Sequence, residues 1–245
     1  MSRNVKLTIE YDGTGYSGWQ RQSRRPSVQA EIERAIRAVT KEKVDLIGAG
    51  RTDAGVHALG QVANFKTGSR IAAQGIPRAL NAHLPEAIRI QDAEEVDDAF
   101  HARYSATGRT YRYAILNRAA SSAILRFHAY HVPEPLDLDA VSGALLALRG
   151  THSFTAFRGV GSAERTTVCN LRRADVAHSA DMVIFTFEAD RFLRHMVRLF
   201  IGTLLRVGHG KLAPEATGEI LASEDNQRAG PRAPAHGLFL VRVSY

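Results

Sequence analysis

The order of hydrophobic periods constrains this chain more than any other feature. Val5, Leu7, Ile9 and Tyr11 alternate with polar residues, which is the period of a half-buried strand. A Gly-rich loop follows over residues 12–27. Beyond it Val28, Ile32, Ala35, Ile36 and Val39 recur at helical spacing, with Ser27 placed to cap that helix and Glu31 and Glu33 near its positive end. Strands are expected at residues 44–47 and 61–66, a helix over 76–83 and a strand over 87–96. The second half gives nearly the same order: a strand over 107–116, a helix over 140–148 capped by Asp137 or Asp139 and ended by Gly150, a hairpin of 168–177 with 182–189, a long apolar helix over 192–207, a short helix over 214–222, and a last strand over 238–245. Two successive β-α-β-β-α-β units predict an α+β chain of two ferredoxin-like halves, residues 1–103 and 104–245. Their strands are expected to form a continuous, mostly antiparallel sheet with helices on one side and a basic cleft between the halves. No Pro/Ser-rich linker interrupts the chain near residue 100, which predicts closely packed halves.

Charge narrows the partner. Lys and Arg total 32 against 25 Asp and Glu in 245 residues, a formal charge of +7. Such an excess favours a polyanion, because a cationic surface gains by releasing condensed counterions when it binds phosphates. The single cysteine, Cys169, excludes an intrachain disulfide framework and a Cys-rich zinc site. The first residues lack the apolar segment of a signal peptide, and the most apolar stretch, residues 196–207, is short and broken by Arg198 and Arg206. A soluble cytoplasmic protein is the expectation.

Chemistry concentrates in Gly48-Ala49-Gly50-Arg51-Thr52-Asp53-Ala54-Gly55-Val56-His57-Ala58. Its glycines permit positive φ and close approach of a ligand to backbone. Neither a dinucleotide fingerprint nor a phosphate-binding Lys-Ser/Thr accompanies them. What the loop does present is a carboxylate, Asp53, two residues after a guanidinium, Arg51. An opposite charge close by keeps a carboxylate ionised, and an ionised, held Asp can act as nucleophile or base. The plainer alternative is an Asx-turn at Asp53 and a surface ion pair for Arg51. His57 has no partner at metal-ligand spacing and reads as a structural histidine, so no metal is expected.

Further along, Arg109-Thr110-Tyr111-Arg112-Tyr113 is expected to set both tyrosines on one strand face and both arginines on the other. Rings beside guanidinium groups suit unstacked bases and their phosphates, although two core tyrosines on an amphipathic strand would give the same pattern. Arg21, Arg24 and Arg25 form a basic patch in the first loop, and Trp19 beside them reads as a packing anchor. Arg198 interrupts an apolar helix, so it either snorkels to solvent or meets a buried partner such as Asp53.

The segment GAGRTDAGVHALGQV resembles the active-site motif of the TruA family of tRNA pseudouridine synthases. YDGTGYSGWQRQ, NAHLP, FHARYSATGRTYRY, FLRHMVRLFIGTLL and GLFLVRVSY match further segments of that family in the same order, from the first strand to the last residue. The resemblance implies isomerisation of uridine to pseudouridine in the anticodon stem-loop of tRNA, without cofactor or metal, by a homodimer. It implies roles for particular residues. Asp53 would be the catalytic aspartate, Tyr111 the tyrosine packed on the target base, Arg198 the cation paired with Asp53, Leu238 an apolar wall of the base pocket, and Arg51 an aid to RNA binding or base extrusion. Arg21, Arg24, Arg25 and Arg109 are the further candidates for RNA contact. Competing readings are a non-catalytic RNA-binding protein and a metal-dependent nuclease built on Asp53 and His57. The first gives no reason for a carboxylate in a loop that faces a polyanion.

Overall fold

In the computed structural model, which describes residues 2–23, 25–161 and 166–245, the first strand β1 (Arg3–Tyr11) carries the expected alternation, with Val5, Leu7, Ile9 and Tyr11 buried. Helix α1 (Val28–Thr40) lays Val28, Ile32, Ala35 and Ile36 into the same core, while Val39 is only half-buried. Ser27 precedes the helix in extended conformation, as a cap residue should, but its hydroxyl makes no capping bond and is buried without a partner among the described residues. The strand expected at 44–47 shrinks to β2 (Ile47–Gly48), and the next strand is longer than its apolar run, β3 (His57–Thr67). After α2 (Ile76–Asn81), which follows one 3-10 turn, β4 (Ile88–Val96) completes the first unit.

The chain divides into two compact units, Met1–Thr107 with Phe239–Tyr245, and Gly108–Leu238. In the first, the antiparallel order is β4-β1-β3-β2, with the two helices as crossovers, which is the ferredoxin-like arrangement. β10 (Leu238–Ser244) returns to this unit and pairs in parallel with the start of β3, Phe239 opposite His57 and Leu240 opposite Ala58. A feature that periodicity did not reveal is the buried Asn4–Asn64 pair, at 2.9 Å. Asn4 also donates to the carbonyls of Asp97 and Phe100, and Asn64 accepts from the Ala102 amide, so the 97–102 segment is fastened to the sheet. Both side chains are fully bonded, so burying them carries little penalty.

In the second unit β5 (Gly108–Asn117), β9 (Met182–Ala189) and β8 (Val168–Ser179) lie in that order, all antiparallel, with β7 (Gly150–Ser153) outside β8 and β6 (Tyr130–Val132) alongside β5. The short strands β6 and β7 were not expected, since three or four residues are too few to show a period of two. Helix α3 (Leu138–Leu146) is capped by Asp137, whose carboxylate accepts from the Ala140 amide at 2.9 Å. α4 (Met196–Gly208) begins later than residue 192, because His195 takes φ 62°, a left-handed conformation that cannot continue a helix backwards. The core gathers on Phe200, whose ring lies 5.7, 4.9 and 5.5 Å from those of Phe154, Phe157 and Phe187. α5 (Ala216–Ser223) closes this unit. The fold is α+β and mainly antiparallel, as the hydrophobic periods predicted; the units differ from the expected halves 1–103 and 104–245 in that the last strand, by pairing with β3, belongs to the first.

Candidate active site

The Asp53 loop is shorter than residues 48–58, because β3 already begins at His57. Its first residues are tied twice to β3: the Ala49 amide donates to Val62 O at 2.8 Å, and the buried Gln61 side chain donates to Gly50 O at 3.0 Å. Its tip is a turn in which the Val56 amide donates to Asp53 O at 3.2 Å, and Gly55 takes φ 76°, the position that a type II turn reserves for glycine. Gly55 alone among the loop glycines uses the left-handed region. Gly48 is needed for a different reason, since a Cβ there would stand 2.5 Å from the indole nitrogen of the buried Trp19. Trp19 is therefore the packing anchor that its sequence context suggested.

A second loop, the Gly-rich segment after β1, holds the first from behind. The Trp19 amide donates to Thr52 O at 3.1 Å, and the Gly55 amide to Tyr16 O at 3.3 Å. The two backbones meet at Gly18, which has φ 92° and whose Cβ would lie 2.5 Å from Thr52 O. Buried His57 adds a tie: its Nδ1 lies 3.0 Å from Asp12 Oδ1 and 3.1 Å from the Gly13 amide, while its ring stacks on Phe239 at 4.7 Å. The carboxylate contact needs a proton on Nδ1 and the amide contact needs a bare lone pair, so these are alternative states of one nitrogen. Asp53 itself is half-buried. Arg51 is exposed and makes no ion pair among the described residues, so the expected charge pair within the loop does not form.

The second unit carries the other residues singled out above. Tyr111 is half-buried on β5, with Phe192 edge-on to its ring at 5.0 Å. β5 pairs with β9 without a bulge from Arg109 to Leu116, so the period of two sets Arg109, Tyr111 and Tyr113 on one face and Arg112 on the other. The expectation that both arginines oppose the tyrosines is thus corrected: 109 and 111 share parity. Arg109 donates to Asp190 O at 2.8 Å. Fully buried Tyr113 donates to Pro234 O at 2.8 Å, and burial drives its phenol well above the usual range. A Cβ on Gly237 would sit 2.8 Å from the Tyr113 ring, so glycine is required one residue before buried Leu238.

Arg198 does not snorkel. It is 9% exposed, and its Nε donates to Ala233 O at 2.7 Å. Its charge reaches His236, whose imidazole is pushed below the ordinary value by burial first, against the opposing effect of a hydrogen bond that the ring donates to the Ala129 backbone, and then by Arg198 and His128. A histidine with a depressed folded pKa binds fewer protons folded than unfolded, so its contribution to stability is lost as pH falls below the ordinary 6.5. Urea midpoints should therefore drop between pH 7.5 and 5.5, and His236→Gln should flatten part of that slope. A slope identical in the variant would remove His236 as its source.

Of the basic patch, Arg21 is paired with Glu33 at 2.6 Å, Arg25 is exposed without an ion pair among the described residues, and Arg24 lies outside them. The tie between the two loops, and the crossing of residues 230–233 over α4, were missed at the level of sequence, although the glycines at 13, 18, 202 and 230 were their visible trace.

Known proteins resemble this chain along its length. The family described as tRNA pseudouridine synthase matches residues 7–105 and 144–245. A protein of Acetivibrio thermocellus named tRNA pseudouridine synthase A is 50% identical over 243 residues, covering 99% of this chain and all of that one. One from Clostridium tetani, named tRNA pseudouridine synthase A 2, is 47% identical over 247 residues and covers both chains fully. A third, from Thermoanaerobacter sp. strain X514, is 44% identical over 243 residues. With the Asp53 loop and the last residues inside the family match, and relatives 44–50% identical along the whole chain, this chain belongs to the tRNA pseudouridine synthase family.

Proposed function

We propose that this protein isomerises uridine to pseudouridine in the anticodon stem-loop of tRNA, with Asp53 as the ionised catalytic carboxylate. The observation that carries the reading is family membership over the whole chain together with an RTDAGVHA loop held rigidly around that one aspartate. In the reaction the N1–C1′ bond breaks, the uracil turns while held, and C5 joins C1′. No atom is gained or lost. Asp53 would attack C1′, add to C6 of the base, or remove a proton on the way to a glycal; each route needs the same charged oxygen.

The remaining residues take supporting parts in this reading, with the catalytic loop on the N-terminal half and the other groups on the C-terminal half. Extrusion of the target nucleotide costs a few kcal/mol, less in a loop than in a duplex, and Tyr111 would recover about 1–3 kcal/mol by stacking. Arg198 would pair with Asp53 and aim it, Leu238 would wall the base pocket, and Arg51, exposed on the same loop, would help to turn the base out. Arg25, Arg21 and Arg109 would add phosphate contacts. The same reading has a homodimer acting on tRNA in the cytoplasm; no helix among the described residues is long and apolar enough to cross a membrane.

Mapping of pseudouridine in bulk tRNA, incubated with wild-type protein and with Asp53→Asn, tests the assignment. Stacking gives a second expectation: Tyr111→Ala should lower kcat/KM by about 5- to 150-fold, the equivalent of 1–3 kcal/mol, while Tyr111→Phe should stay near wild type. A dead Tyr111→Phe would mean that the hydroxyl, not the ring, is essential.

A further inference from the structure

We propose that Tyr11 and Thr52 are positioning residues for the reaction, holding the Asp53 carboxylate in its working orientation through one buried hydrogen bond. The inference rests on the reading of Asp53 as the catalytic carboxylate. Tyr11, the last residue of β1, is 2% exposed, and Thr52, immediately before Asp53, is 7% exposed. Tyr11 Oη and Thr52 Oγ1 lie 2.8 Å apart. The other ties of this loop described above run to its backbone or from it: Ala49 to Val62, Gln61 to Gly50, Trp19 to Thr52, Gly55 to Tyr16. Those ties fix where the chain runs. They leave rotation about the bonds at residue 52 less constrained, and that rotation decides where the next side chain points. A bond to the Thr52 side chain restrains it.

The sheet is also distorted where this bond is made. Ile9 pairs with Gln61 and Tyr11 with Ala58, so two residues of β3, Leu59 and Gly60, bulge opposite the single Glu10. A bulge turns the strand and re-aims side chains beyond it, and bulges concentrate beside active sites. Here the extra residue falls one step before Tyr11, and the Tyr11 ring lies 6.1 Å from that of Trp19, the anchor under Gly48. β1, the anchor and the catalytic loop thus converge on one hydroxyl pair. Positioning matters because displacement of a catalytic group by about 1 Å can cost on the order of 100-fold in rate.

Single-turnover and steady-state kinetics on uridine-containing tRNA, with tRNA affinity and thermal stability measured in parallel, test the proposal on Tyr11→Phe, Thr52→Val and Thr52→Ser. Thr52→Ser keeps the hydroxyl and should stay within about three-fold of wild type. Tyr11→Phe and Thr52→Val should each lower kcat on the order of 10- to 100-fold with tRNA Kd unchanged within about three-fold, and their effects should not add in the double variant. Turnover within two-fold of wild type in both single variants overturns the proposal. So does a loss of kcat that merely follows the loss of folded protein, or a Thr52→Ser as impaired as Thr52→Val. If one variant does not fold, the other carries the test, because each breaks the same bond from its own end. Asp53→Asn in the same series separates the two claims. Should it retain turnover, the catalytic assignment fails; should it be inert while Tyr11→Phe is normal, only the positioning role fails.

Discussion

Asp53→Asn should yield a folded protein that binds tRNA within a few-fold of wild type and forms no pseudouridine. The substitution is isosteric and sits on a half-buried tip whose fold depends on other groups: the Gly55 turn, the Trp19 amide bonded to Thr52, and the Gln61 side chain bonded to Gly50. Each of those bonds is made by groups other than the Asp53 carboxylate, so the turn survives its neutralisation. Affinity should not suffer, since a carboxylate repels phosphate and its removal relieves that repulsion. What disappears is the charged oxygen on which every route through the isomerisation depends. Chemical mapping of the tRNA product, with filter binding on the same preparation, reads both quantities. Pseudouridine formed by the variant at more than a few per cent of the wild-type rate would end the assignment.

The largest loss of stability should come from Gly202→Ala, a change of one methyl group. Gly202 lies on α4 where the strap of residues 230–233 crosses it, and a Cβ there would stand 1.6 Å from Pro231 O. The reciprocal contact is also impossibly short: a Cβ on Gly230 would meet Gly202 C at 2.3 Å. Backbone faces backbone on both sides, so no side chain can turn away to relieve the clash. Around the crossing, the Gly230 amide donates to Thr203 Oγ1 at 2.8 Å and the Ala233 amide to Arg198 O at 3.0 Å. A separation of the two segments would break these bonds as well. Overpacking costs about 1–3 kcal/mol where side chains can yield, and here the cost should exceed about 4 kcal/mol, a fall in Tm of roughly 10 °C or more. Gly143→Ala is the control. That glycine is exposed on α3, where the nearest atom to a new Cβ is Pro214 Cβ at 3.8 Å, so helix propensity should decide and stability should rise by about 0.5–1 kcal/mol. Thermal melts of the two variants should move in opposite directions; Gly202→Ala melting with the wild type would contradict the crossing.

Much of the fold was legible because it depends on local periods. Alternation at 5–11 and the stripe at 28–36 state which faces must be buried, and a buried face leaves little freedom in register. Asp137 announced the start of α3 through a bond that spans three residues. Where only distant partners could decide, reading by period failed. The misplacement of Arg109 was not of this kind, since at a period of two residues 109, 111 and 113 share a face without any partner, and the unbroken register with β9 agrees. The helix expected from residue 192 starts four positions later, since the left-handed turn at His195 leaves no mark in hydrophobicity. Ser27 has the right backbone for a cap, yet its buried hydroxyl makes no capping bond.

The sequence by itself determined the mostly antiparallel α+β class, the first β-α-β-β-α-β unit, the basic balance and the one carboxylate worth suspecting, because these follow from side-chain type and from spacing within a few residues; that the last strand joins the first unit instead of the second was left to the structure. Only the tertiary structure decided that Gly18 and Gly48 exist to let Thr52 and Trp19 approach, that Arg51 stands exposed, and that Tyr11 reaches across 41 positions of chain to bond Thr52, the residue before Asp53. The reason is range. Hydrophobic periods act between neighbours along an element, whereas hydrogen bonds and steric contacts act over about 3 Å in space, between residues that composition and spacing cannot bring together on paper.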